Sequence, residues 1–333
     1  MEKPISQIKP PSDKGELNFR ILTILGLIAA FIQVSLGGFV RVTDSGMACG
    51  DDWPLCDGQL VPSFNIEVAL EYAHRVSGAV LIVLILIIFI YAWRLHRNDS
   101  WIFRSSIAAL IFVIAGAAFG AATVFSELGW GFRLIHLAIA EGVICSLAFA
   151  FISSLDFKRY GMNSPTEGSM ASGAVYMFGM LLSIFLLILS GSIMVGLDAG
   201  TACGTWPLCN GSIFPQGNSR YSIHMGHRLI GIVAGVLMLL AFLWIWRMRE
   251  WIHGAGKVSI ALFVFMIIQV LFGAALVWTG FAPGWRAIHL IGGTLVWLTA
   301  CILFAIVFVS RDPVNEKKIE AKGISNIYGE FSS

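Results

Sequence analysis

Two His-Arg dipeptides, His74–Arg75 and His227–Arg228, stand 153 residues apart, and two further histidines, His136 and His289, are separated by the same interval. All four lie in apolar segments. Imidazole inside a bilayer is costly and usually marks function. Neutral imidazoles facing each other in a helical bundle are what a haem iron takes as axial ligands. The spacing thus offers two equivalent ligand pairs, His74 with His136 and His227 with His289. Each histidine has an arginine beside it: Arg75 and Arg228 follow the first of each pair, and Arg133 and Arg286 precede the second by three residues. Guanidinium groups pair with carboxylates through two-pronged hydrogen bonds, so these four arginines suit haem propionates at the membrane surface. Snorkelling to lipid phosphates would explain an arginine but not its pairing with each histidine.

The elements that must position these residues are membrane-spanning helices. Of 333 residues 57% are hydrophobic and 13% charged, where a soluble domain carries about 25% charge; the mean hydropathy is +0.80. Apolar runs long enough to span a bilayer are read at roughly 20–40, 69–93, 104–125, 132–155, 172–196, 222–246, 257–279 and 285–309. The fold class expected is all-α integral membrane, with eight transmembrane helices as two pseudo-symmetric four-helix bundles. The first run is too long for a signal peptide and lacks a small-residue cleavage site. The N-terminus is not of the Arg-rich, acid-poor mitochondrial type, so a bacterial plasma membrane is expected. Of 22 lysines and arginines, all but Arg41, Arg75, Arg133, Arg220, Arg228 and Arg286 fall on one side of the predicted membrane. By the positive-inside rule that side is cytoplasmic, both termini are inside, and the histidines and cysteine loops lie toward the outer face.

The repeat organises the chain. FGAATVF (119–125) and GFRLIHL (131–137) recur as FGAALVW (272–278) and GWRAIHL (284–290); EYAHRVSGAV (71–80) recurs as HMGHRLIGIV (224–233). The expected organisation is a cytoplasmic tail 1–19, an N-terminal four-helix half 20–155, a cytoplasmic linker 156–171, a C-terminal half 172–310 and a cytoplasmic tail 311–333. An even number of spans per half makes the repeats parallel, so each histidine pair reaches a common plane near the outer surface. The small-residue run 115–122, with Gly116 and Gly120, and its echo 273–275 would let helices approach closely.

The repeat breaks at one telling place: the first half has Glu71 where the second has His224. Glu71 stands one turn above His74, where a carboxylate can hold or move protons; a helix N-terminal glutamate stabilised by the dipole is the plainer reading. Glu141, five residues past His136, faces another way, and its role stays open between a buried structural carboxyl and something more. His96 and His253, in cytoplasmic loops beside other charges, read as solvated.

ACGDDWPLC (48–56) and ACGTWPLC (202–209) place Cys49 with Cys56 and Cys203 with Cys209 in outer loops, where paired cysteines tend to form disulfides. Each bridge would close a loop over its histidine pair. A rigid lid is the reading for Cys203–Cys209; for Cys49–Cys56 a redox-cycling pair also stands. Cys145 and Cys301 lie within helices and read as packing residues.

Together GGFVRVTDSG, the two WPLC loops, EYAHR, RLIHL, HMGHR and RAIHL resemble the heme A synthases over about residues 20–310. The resemblance implies oxidation of the C8 methyl of heme O to a formyl group by successive hydroxylations. It implies that the N-terminal half binds substrate haem through His74 and His136 with Glu71 as catalytic carboxylate, and that His227 and His289 hold a heme b cofactor. It further implies heme O synthase upstream, a terminal oxidase or its assembly factors downstream, an unidentified electron acceptor and homo-oligomerisation; no nucleic-acid partner is expected. From the residues alone the alternative is a di-haem b-type membrane electron-transfer protein, which accounts for the histidines and arginines but not for Glu71 or the cysteine loops. A membrane thiol–disulfide oxidoreductase would leave the histidines idle, and no broken helix suggests a transporter.

Overall fold

The computed structural model describes residues 13–63, 65–155, 167–250, 252 and 254–309. Among the described residues are eight α-helices: α1 (Asp13–Val42), α2 (Ile66–Leu95), α3 (Ser100–Phe125), α4 (Trp130–Ser153), α5 (Glu167–Gly196), α6 (Ser219–Met248), α7 (Ala255–Trp278) and α8 (Pro283–Val309). All eight are long and apolar enough to cross a membrane, and the chain is a multi-pass membrane protein. Bilayer hydrocarbon offers no partner to a free N–H or C=O, so helices that satisfy their own backbone are the form these segments take. Helix starts are set by short polar side chains: Asn65 accepts from the Val68 N–H at 2.8 Å, and Asn218 accepts from the Arg220 N–H at 2.9 Å, as N-caps do.

α1 begins at Asp13 rather than at 20, because Asp13–Asn18 continue the helix as a polar turn beyond the apolar span. That extension changes the reading of His96. It is buried, not solvated: its N–H closes α2 on the Ala92 carbonyl at 2.8 Å. Its ring meets Phe19 with centroids 5.0 Å apart, and Nε2 lies 3.6 Å from Glu16. His253, Lys158 and Arg159, with the expected tail 311–333, lie outside the described residues.

Helix pairings in the first half recur in the second. α1 packs on α2 and α4, and α3 on α2 and α4; α5 packs on α6 and α8, and α7 on α6 and α8. α4 also packs on α8, and α1·α8 and α4·α5 complete the seam. α4 and α8 are the most buried spans, while α2, α3 and α7 turn most of their surface outward, as helices facing lipid do. One continuous cluster of buried side chains, from Phe19 on α1 to Val309 on α8, fills the interior. Across the seam the Trp297 indole N–H donates to the Glu141 carbonyl at 2.9 Å. The Glu141 side chain is buried there with neither carboxyl oxygen hydrogen-bonded, and the thiols of Cys145 and Cys301 meet across the same helices.

Candidate functional site

His74 on α2 and His136 on α4 face each other across a cavity of about 550 Å³. Their ring centroids are 6.5 Å apart and their planes cross at 81°. Metal–imidazole bonds run about 2.0–2.1 Å and a ring centroid lies about 1.1 Å behind its nitrogen, so two rings on opposite sides of one metal ion have centroids about 6.3 Å apart. The observed separation therefore fits two axial ligands of a single iron. Among the described residues no three His, Cys, Asp or Glu side chains cluster as a metal site. Paired histidines instead suit an iron whose remaining positions a porphyrin fills.

Two of the four rings are held by the helix preceding their own, while Nδ1 of His74 and of His289 is buried without a hydrogen bond. His136 Nδ1 lies 2.9 Å from the Gly116 carbonyl of α3. A ring nitrogen facing a carbonyl must carry the proton, which leaves Nε2 bare for a metal. In the second half His227 Nδ1 lies 2.8 Å from Ser190 Oγ on α5. That hydroxyl donates to the Leu187 carbonyl at 2.7 Å, so it accepts from the ring. His74 is set differently: the Gln33 amide of α1 donates to the His74 carbonyl at 3.0 Å, and the Gln33 backbone lies beside the ring. His289 repeats this with the Gln269 amide of α7, at 2.7 Å from its carbonyl.

Four glycines complete the seats. A Cβ on Gly37, Gly120, Gly191 or Gly273 would stand 3.0, 3.3, 3.2 or 3.2 Å from Cε1 of His74, His136, His227 or His289 respectively. The expectation that small residues let α3 and α7 approach their neighbours is met at Gly120 and Gly273, where what approaches is the histidine ring. Gln33, Ser190 and Gln269 were not singled out from the sequence, although a polar residue isolated in an apolar span is a visible signal. Gly37 and Gly191 repeat at an offset of 154, the same that relates Cys49 to Cys203.

Glu71 lines the cavity and is buried. Its Oε2 accepts from the Cys49 N–H at 2.8 Å, and its Oε1 pairs with Arg75 Nη2 at 2.6 Å. Arg75 also donates to the carbonyls of Asp52, at 2.6 Å, and Leu55. His224 replaces Glu71 within the same scheme. Its Nδ1 lies 3.0 Å from the Ala199 carbonyl, and Nε2 accepts from Arg228 at 3.2 Å. Arg228 donates to the carbonyls of Thr205 and Pro207, both at 2.9 Å. Arg75 and Arg228 thus bind the two cysteine loops to the helices that carry the histidines. The side chains of Arg133 and Arg286 make no hydrogen bond or ion pair among the described residues, and the Nε of Arg133 is buried without a partner.

The loops are tied twice over. Disulfides join Cys49 to Cys56 and Cys203 to Cys209. Cys56 and Gln59 exchange backbone hydrogen bonds, as do Cys209 and Ser212. Asp57–Gly58 and Asn210–Gly211 between them have positive φ, the requirement of a tight two-residue turn that Asp-Gly and Asn-Gly meet. Trp53, Pro54 and Leu55 line the cavity from this loop, which therefore roofs the His74–His136 site. Elsewhere the wall is mainly apolar, with Val34, Ala79, Ile82, Val113 and Ala117 below the histidines.

The profile of the COX15-CtaA family, described as cytochrome oxidase assembly protein, matches residues 20–69 and 63–222. The chain is 27% identical over 297 residues to a protein of Halalkalibacterium halodurans, covering 88% of this chain and 97% of the relative. It is 28% identical over 275 residues to one of Alkalihalophilus pseudofirmus, covering 81% and 90%, and 24% identical over 306 residues to one of Bacillus cereus, covering 90% and 94%. All three relatives are named heme A synthase.

Proposed function

The chain belongs to the COX15-CtaA family of cytochrome oxidase assembly proteins, and from that premise we propose that it is a heme A synthase, an oxidoreductase that converts the C8 methyl of heme O to the formyl group of heme A. The observation that carries the reading is the His74–His136 pair, set at the separation of two axial ligands across a cavity that also holds a buried carboxylate. In this reading the substrate haem takes its place between these two imidazoles. His227 and His289 hold a resident heme b. Held by that pair, heme b would supply electron transfer when bound.

The chain's own residues do the rest. The Gly116 carbonyl and Ser190 hydroxyl hold Nδ1 of His136 and His227, which keeps Nε2 free of protons and available to a haem iron. The roof of Trp53, Pro54 and Leu55 covers the substrate site against water. The apolar wall around Val34, Ile82 and Val113 accepts the hydrophobic body of the substrate. Glu71, inside the cavity and anchored through Arg75 and the Cys49 N–H, is placed to take the protons that oxidation of a methyl group releases and to pass them toward the outer loop. Arg133 and Arg286, without protein partners, are the better propionate contacts of the four arginines; Arg75 and Arg228 act there through the loops they hold. The Cys49–Cys56 and Cys203–Cys209 bridges serve as rigid lids. The membrane is a bacterial plasma membrane, with both termini cytoplasmic and the haem sites toward the outer face. Heme O synthase supplies the substrate, and a terminal oxidase or its assembly factors receive the product.

Extraction and chromatography of the haems from protein made with and without heme O synthase tests the reading. Heme A only when heme O is supplied, alongside heme b, is the expected result. Heme b alone under both conditions would leave a di-haem electron carrier and refute the synthase.

A further inference from the structure

Arg41 has no counterpart in the second half. The offset of 154 that relates Cys49 to Cys203 carries it to Val195. It stands in the last turn of α1 on the wall of the His74–His136 cavity, as does Arg133. Its guanidinium reaches across the seam to α5, where Nη1 donates to Ser192 Oγ at 3.1 Å and Nη2 to the Ser192 carbonyl at 3.2 Å. Arg133, from α4, lines the same cavity, and Arg286 stands one turn before Leu290 of α8, whose side chain packs against Gly38 of α1, one turn before Arg41. The Nε groups of Arg41 and Arg133 are buried without hydrogen bonds, and no carboxylate pairs with any of the three among the described residues. Three cations gathered at a partly buried seam repel one another and lack the counter-charge that buried guanidinium groups require. Arg75, by contrast, has its carboxylate in Glu71.

We infer that Arg41, Arg133 and Arg286 form one anion site at the seam of the two halves, which receives a carboxylate from the haem of each half, with Arg41 shared between them. The inference rests on the reading of both histidine pairs as haem ligands. Arg133 belongs to the helix of His136 and Arg286 to that of His289, so each brings its own haem's propionate to the seam. Arg41 closes the gap between them and is held at that position by Ser192. A cation beside a haem favours the reduced iron, so a shared arginine raises the potential of both haems.

The test is a redox titration of the purified full chain, together with infrared spectra of protein grown with haem precursors that label the propionates with carbon-13. Wild type is compared with Arg41→Gln, Arg41→Lys and Ser192→Ala. Arg41→Gln is expected to lower the midpoint potential of both haems and to shift the labelled carboxylate bands of both. Arg41→Lys, which keeps the charge and loses the two-pronged geometry, is expected to keep the potentials and move the bands. Ser192→Ala is expected to lower thermal stability while leaving the charge at the seam. A role confined to pinning α1 on α5 would make Arg41→Gln resemble Ser192→Ala, with potentials and bands unmoved, and would overturn the inference. Unmoved bands with a melting temperature that depends on added anionic lipid would assign the site to a phosphate headgroup and overturn it equally. A haem spectrum that survives alanine at all four of His74, His136, His227 and His289 would instead remove the ligand reading itself, and the shared site with it.

Discussion

Substitution of Gly191 by alanine should loosen the haem that we propose His227 and His289 hold, without replacing either histidine. The added Cβ would stand 3.2 Å from Cε1 of His227, 3.7 Å from Nδ1 and 3.9 Å from Nε2. Carbon atoms pack at about 3.5–4.0 Å, so the ring must retreat by roughly 0.3–0.8 Å. That displacement exceeds the ~0.2 Å tolerance of a metal–ligand distance. It also strains the 2.8 Å contact between Nδ1 and Ser190 that fixes the ring's rotation. Overpacking of this kind costs about 1–3 kcal/mol, which corresponds to roughly 5- to 150-fold in haem affinity if the whole cost falls on the bound state. The control is Gly226→Ala, one residue from His227 in sequence, where a Cβ meets nothing within 4 Å; it should bind haem as wild type does. The assay is haem content per chain by the pyridine haemochrome, with the low-spin electron paramagnetic resonance signal reporting ligation. Equal haem content and an unchanged signal in Gly191→Ala would refute the glycine seat. An equal loss in Gly226→Ala would show that any added methyl in this region is harmful.

Glu71→Gln is expected to keep both haems and abolish heme A formation, read by chromatography of extracted haems; undiminished heme A would refute its catalytic role. The Cys203–Cys209 bridge spans a sequence separation of 6, and loop-closure entropy for so short a ring makes its loss worth about 2–2.5 kcal/mol. Cys203→Ser should lower the denaturation midpoint accordingly while leaving haem ligation intact, and a variant as stable as wild type would remove the rigid-lid reading.

The architecture was legible because its signals are one-dimensional. Eight apolar runs survive as eight helices, since a span long enough for the bilayer has no other way to satisfy its backbone. The repeat at 153 residues marks the four histidines and aligns Glu71 with His224 without reference to any fold. The two cysteine pairs follow from their repeated loop. His96 was misread because its neighbours in sequence are charged, whereas what covers it, Phe19 and Glu16, comes from a helical extension some eighty residues earlier.

What the sequence alone determined is which residues are available for chemistry: two pairs of imidazoles, a carboxylate at Glu71 where the repeat has His224, and an arginine beside each of the four histidines. Which of them work together was decided by tertiary structure. The helical period places a residue on a face, but the rotation and depth of that face against its neighbours depend on packing with other helices. Only that packing brings Gly116 and Ser190 to the histidine rings, turns Arg75 and Arg228 to the loop carbonyls, and sends Arg41 across the seam to Ser192. Arg133 and Arg286 are left with charge and no protein partner among the described residues, and that difference among arginines which look alike in sequence is a property of the assembled bundle.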